Sequence, residues 1–173
     1  LFQPSTDITV SLQTSDSIRL QPDVTSVTFT PSNFGSPQTV TLAANQDIDF
    51  EDNTATLTLA GTGISDRVVS VSILDDDTQS IVASPTSLTI TEGGSSTIEV
   101  NLAYQPRTPV TVAISNTNNQ AVSVSSSSLN FTPSDYSTPQ LITVTALEDA
   151  NTDTEAGTIT LSSASAPDVP VSF

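Results

Sequence analysis

The sequence predicts an all-β chain of tandem antiparallel β-sandwiches, each of about seven strands, with the first sandwich incomplete. Three observations predict it. A block of residues returns after 102 positions, apolar and polar residues alternate through both copies, and turn-forming clusters separate the alternating runs. The repeat is plainest where Phe29-Thr30-Pro31-Ser32 recurs as Phe131-Thr132-Pro133-Ser134. The same ungapped offset aligns Gln3-Pro4 with Gln105-Pro106, Pro37-Gln38 with Pro139-Gln140, Phe34 with Tyr136 and Asp47 with Asp149. About 30% of the aligned positions are identical, and a period near 100 residues is too long for a solenoid unit, so each repeat is a whole domain.

The strands follow in order. In the second copy, Ser87-Leu88-Thr89-Ile90-Thr91 alternates as strand A (86–91), Thr97 to Leu102 as B (96–103) and Val110 to Ile114 as C (109–115). Residues 121–131 form D, bent at the serine run; 139–147 form E, 157–162 form F, and G starts at 169. A period of two places one face on a core and the other in water. Turn chemistry lies between these runs, at Glu92-Gly93-Gly94, Asn116 to Asn119, Pro133-Ser134-Asp135 and the acidic stretch from Glu148 to Glu155. Seven short strands in such a length read as an immunoglobulin-like sandwich. The first copy, residues 1–77, supplies C to G and lacks A and B; the second, 78–173, is truncated within G. A sandwich without two strands exposes core and a bare edge. The missing strands come either from upstream sequence or from a neighbouring molecule, and the chain, which opens on Leu1, is expected to be a segment of a longer protein.

Composition removes most chemistry. The 173 residues carry 19 acidic and 3 basic side chains, a formal charge of −16, with no His or Cys. Ser-His-Asp and Cys-His catalysis, the usual zinc sites and disulfides are therefore excluded. A chain this negative repels nucleic acid, and no apolar run is long enough for a membrane helix. Paired carboxylates could serve a glycosidase, but nothing supplies a substrate groove, so no enzyme is expected.

The acidic residues are not spread evenly. Antiparallel parity sends the A–B, C–D and E–F turns and the end of G to one pole of each sandwich. That pole collects Glu92, Glu148, Asp149, Asp153 and Glu155 in the second copy, and Asp16, Asp47, Asp49, Glu51, Asp52 and Asp75-Asp76-Asp77 in the first. Taken alone, such loops read as solvated carboxylates that keep the chain soluble. Crowded carboxylates also suit calcium, which takes six to eight oxygen ligands in flexible geometry. The aromatic residues Phe34 and Tyr136 are expected to plug the ends of the sandwiches, and Phe2 and Tyr104 to behave alike.

Four features together carry a resemblance: Ile90-Thr91-Glu92-Gly93-Gly94 after strand A, the Phe-Thr-Pro-Ser turn with its following Pro-Gln, the acidic E–F loops, and a strand G ending Val71-Ser72-Ile73-Leu74-Asp75-Asp76-Asp77. The chain resembles tandem Calx-beta domains, the immunoglobulin-like modules of sodium/calcium exchangers and many bacterial surface proteins. The resemblance implies Ca2+ ligands at Asp47, Asp75, Asp76 and Asp77 in the first copy and at Glu92, Glu148 and Asp149 in the second. The sequence departs from that pattern at Gln46 and Glu148, where the family opens the E–F loop with Asp, and at Arg19 and Ala121, where it carries an acidic ligand. The implied role is a structural spacer, stalk or filament segment of an extracellular or cell-surface repeat protein, stiffened by calcium at interdomain joints. The partners are then adjacent repeats. The alternatives are an adhesin module that grips a glycan or protein receptor through its loops, and self-assembly by strand exchange.

Overall fold

The computed structural model describes residues 3–173; Phe2 lies outside them. All regular elements among the described residues are strands, and they fall into two compact units. Of the described residues, one comprises 3–47 and 51–75, the other 48–50 and 76–173.

The second unit is a sandwich of two four-stranded sheets. One holds β7 (Ile81–Ser84), β8 (Ser95–Leu102), β10 (Val122–Val124) and β12 (Gln140–Ala146) in the order β10-β12-β8-β7. The other holds β9 (Val110–Asn116), β11 (Ser128–Phe131), β13 (Thr158–Ser163) and β14 (Ala166–Ser172) in the order β11-β9-β13-β14. Every pairing within these sheets is antiparallel. Alternation is what lets the faces meet: in β8, Ile98, Val100 and Leu102 are fully buried, while the alternating Thr97 and Glu99 face water. They pack with Val112, Phe131, Ile142, Val144, Ile159, Leu161 and Val171 in one core.

Three strand assignments need correction. Strand A was expected at 86–91, but the first strand is β7, paired with β8 from Ile81↔Leu102 to Ser84↔Glu99. After the cis Ser84-Pro85 peptide the chain passes to the opposite sheet, where Ser87 forms a parallel bridge with Ser172 and Leu88 N–H donates to the Ser172 carbonyl. The bent strand D is two strands on different sheets. The serine run crosses between them, with Ser125 N–H bonded to Thr143 on one side and the Ser127 carbonyl accepting from Ile114 N–H on the other. Strand G begins at Ala166 rather than 169, because a tight turn at Ser163–Ala166 joins it directly to β13. The second sandwich therefore has eight strands.

The first unit repeats this plan in part. A four-stranded sheet orders β3 (Ser26–Phe29), β1 (Ile8–Thr14), β5 (Asn53–Gly61) and β6 (Arg67–Ile73) as β3-β1-β5-β6. Facing it is a two-stranded sheet of β2 (Leu20–Pro22) and β4 (Leu42–Ala44). Its core is Val10, Leu12, Leu20, Ala55 and Leu57.

The repeated motifs have a common cause in hydrogen bonding. Gln3 Nε2 donates to the Pro31 carbonyl and Gln105 Nε2 to that of Pro133. Gln38 Nε2 donates to Thr28 O and Gln140 Nε2 to Asn130 O, each at 2.7 Å. Each amide fastens one end of the Phe-Thr-Pro-Ser turn, whose own N–H groups are capped by Asn33 or Asp135. The motifs recur because they hold the same turn by the same bonds.

One polar residue among those described is fully buried. Gln79 is 2% exposed; its Nε2 donates to Tyr104 O at 2.8 Å, and its Oε1 accepts from the N–H groups of Ser80 and Tyr104. It pins the entry of the second unit to the turn after β8.

Candidate functional site

Antiparallel order brings the β7–β8, β9–β10 and β12–β13 connections of the second unit to one end. The first of these is held to the end of β12 by Gly93 N–H on Ala146 O and Ala146 N–H on Gly94 O. Gly93 has a φ of +71°, a left-handed backbone that favours glycine, and an added Cβ would run into the Glu148 carboxylate. The second is folded on its own asparagines: Asn116 Nδ2 donates to Val122 O, and Asn116 Oδ1 accepts from Asn118 N–H. The third descends through Asp149, Asn151 and Asp153, with the Asp149 and Asn151 side chains each accepting from the N–H two residues on.

These loops set one carboxylate oxygen each of Glu92, Asp149 and Glu155 within 4.8 Å of one another. Two of the three residues are among those the resemblance implied. Glu148 lies outside this set, with its carboxylate against Gly93. Glu155 was placed at this pole by strand parity but not among the ligands, since it falls outside the family motif. Partial desolvation, reinforced by the charges of Asp149, Glu148 and Glu155, holds the Glu92 carboxyl above its ordinary range. Beside them opens a cavity of about 290 Å³, whose lining includes Leu88, Ile90, Ala121 and Phe173 with Glu92, Asp153 and Glu155.

The first unit answers its acidic pole differently. Asp47 and Asp75 bring carboxylate oxygens within 4.8 Å of each other. Arg19 Nε donates to Asp47 Oδ2 at 2.8 Å, and Arg19 Nη1 lies 3.3 Å from Asp16 Oδ2. Asp16 also caps the turn by accepting from the N–H groups of Ile18 and Arg19. The Arg19 backbone bond, aided by the guanidinium and the Ile18 N–H, outweighs desolvation and holds the Asp16 carboxyl below its ordinary value. Asp75 N–H donates to Asp52 Oδ1 at 2.8 Å, which fixes the end of β6. Asp76 and Asp77 open the second unit with carboxylate oxygens within 4.8 Å of each other. Both aromatic counterparts are half-buried, and Tyr136 packs on the core of its unit.

No protein-family model matches the chain, and no curated protein matches it. Among solved structures the chain is similar to domains 4 and 5 of the S-layer protein SbsC, with a TM-score of 0.47 and 15% identity over 94% of this chain and 68% of that one. It is similar also to SbsC domains 1–6, with a TM-score of 0.47, 16% identity and coverage of 94% and 19%. A further SbsC structure gives 0.47 and 17% with the same coverage, so this chain spans about a fifth of the length of the longer SbsC chains.

Proposed function

We propose that this chain is a structural segment of an extracellular or cell-surface repeat protein, in which sandwiches joined in series act as a spacer or filament. The observation that carries the reading is the exact recurrence of the turn-holding hydrogen bonds after 102 residues, Gln3 to Pro31 and Gln105 to Pro133. What is duplicated is a framework, whereas the acidic poles differ in every residue but Asp47 and its counterpart Asp149.

Calcium is the stiffening ligand of this reading. Glu92, Asp149 and Glu155 fit it: three carboxylates lie within reach of one hard cation, and their mutual repulsion is already felt at Glu92. Glu148 is the neighbouring acidic residue. Asp47 and Asp75 would restrain the end of β6, and Asp76 and Asp77 the residues leading to Gln79. The test is thermal melting of the whole chain with calcium and with chelator. The expected outcome is stabilisation that grows with the ratio of calcium to its dissociation constant, about 2.7 kcal/mol at a hundredfold excess. A melting curve indifferent to calcium up to 10 mM, a range that covers roughly the millimolar affinities of extracellular modules, removes calcium from the reading. Small-angle scattering then checks stiffening: unchanged interdomain angles between calcium and chelator would overturn it.

A further inference from the structure

The cavity at the Glu92 end of the second unit has a property that a coordinated metal ion does not need. Its lining is part apolar, from Leu88, Ile90 and Phe173, and part acidic, from Glu92, Asp153 and Glu155. An inorganic cation uses oxygen ligands alone. A cation carried on an alkyl stem uses both kinds of surface, the stem against the apolar side chains and the head on the carboxylates.

The first unit shows such a cation at the equivalent place. Across the 102-residue offset, Asp149 is the counterpart of Asp47 and Ala121 of Arg19. In the first unit the guanidinium comes from within the fold, with Arg19 Nε 2.8 Å from Asp47 Oδ2. In the second unit that arginine is an alanine lining the cavity, while Asp149 keeps its carboxylate beside Glu92 and Glu155. We propose that this cavity is a socket for an arginine side chain of a protein partner, which supplies from outside the guanidinium that Arg19 supplies from inside. The planar head offers five donors to carboxylates clustered within 4.8 Å, a match that the point charge of lysine makes less well. The proposal goes beyond the calcium reading and draws on the same carboxylates, so the two occupants compete.

The test is a titration of the isotope-labelled whole chain with acetyl-Gly-Arg-Gly-amide in chelator, followed by amide shifts, with the Gly-Ala-Gly peptide as control and a parallel titration with calcium alone. Saturable shifts confined to residues 88–92, 121–122 and 149–155 are expected with the arginine peptide and not with the control. Glu155→Gln should weaken binding about tenfold, the loss of one charge-assisted contact. Ala121→Arg should fill the socket from within, abolish the peptide response and raise the melting temperature. If that variant fails to fold, the Glu155→Gln comparison decides alone. Shifts that do not saturate, or that survive Glu155→Gln unchanged, mean diffuse attraction to an acidic surface and overturn the proposal. A response to calcium but not to the peptide overturns it while leaving the metal reading intact. The converse supports the socket and removes the metal, and no response to either removes both.

Discussion

The two units share a strand plan and bury equivalent residues to different depths. Val171 is fully buried in the second unit, whereas its counterpart Val69 is 47% exposed in the first. Phe131 is fully buried and Phe29 half-buried, although both stand at the head of the same Phe-Thr-Pro-Ser turn. The difference is β8, whose Ile98, Val100 and Leu102 fill the middle of the second core. Strand pattern and turn chemistry are thus local properties, reproduced in both units, while burial belongs to the completed sandwich. Paired substitutions measure how far the two depart. Phe131→Ala should cost the second unit about 3–5 kcal/mol, through lost transfer energy and a cavity that cannot collapse. Phe29→Ala should cost the first unit roughly 1–2 kcal/mol, since less area leaves water there. Urea unfolding followed by signals assigned to each unit distinguishes them. Equal losses would show that Phe29 is covered in solution as Phe131 is.

The second comparison is between the entries to the strands. Gln79→Ala should destabilise the second unit by about 1–3 kcal/mol, because it strips partners from the Tyr104 N–H and carbonyl in a site without room for much water. Gln79→Glu keeps an acceptor but loses the donor and adds charge, so it should be at least as damaging. A Gln79→Ala variant that melts like the parent chain would show that solvent reaches this turn.

These differences mark what could be read from residues alone. The repeat, the all-β class and the convergence of acidic turns on one pole follow from offset, period and parity, and the all-β class is what the structure has. Which sheet a strand joins does not follow from alternation, since period two fixes faces and not neighbours. That is why the serine run was taken for a bend within one strand, and why β7, only four residues long and preceding a proline, was missed. The pole's residues were legible one by one, Arg19 and Ala121 included, but that a guanidinium bonds Asp47 in one unit and that a cavity opens beside Ala121 in the other are facts of three dimensions. Gln79 gave no signal, because a lone glutamine before a strand has no pattern.

A smaller effect concerns the cation inside the first pole. Arg19→Ala should lower the stability of the first unit by about 0.2–1 kcal/mol, the range of partly exposed ion pairs, and most of that loss should vanish in 1 M salt, where screening is strong. The same variant leaves Asp16 and Asp47 without their guanidinium and so makes the first pole resemble the second. An added response of the first unit to calcium, absent from the parent chain, is the expected sign. If the parent chain already responds equally at both poles, the guanidinium and the metal do not compete for Asp47.

The smallest effect has opposite sign at the two poles. Asp16 titrates below the ordinary 3.8, so its contribution is present above that value and is lost as pH falls through the lower folded-state value. Glu92 titrates above the ordinary 4.5, so its contribution is present below that value and is lost as pH rises through the higher folded-state one. Both windows flank the normal carboxylate range from opposite sides, and both are measurable in chelator by carboxyl-carbon shifts. Asp16→Asn should flatten the acid limb of first-unit stability, and Glu92→Gln should flatten the decline of second-unit stability above 4.5. The sign matters more than the size. A Glu92 midpoint at or below the ordinary value, with no metal present, would mean that the three carboxylates are farther apart in solution than 4.8 Å, and that the second pole makes no demand for a cation of any kind.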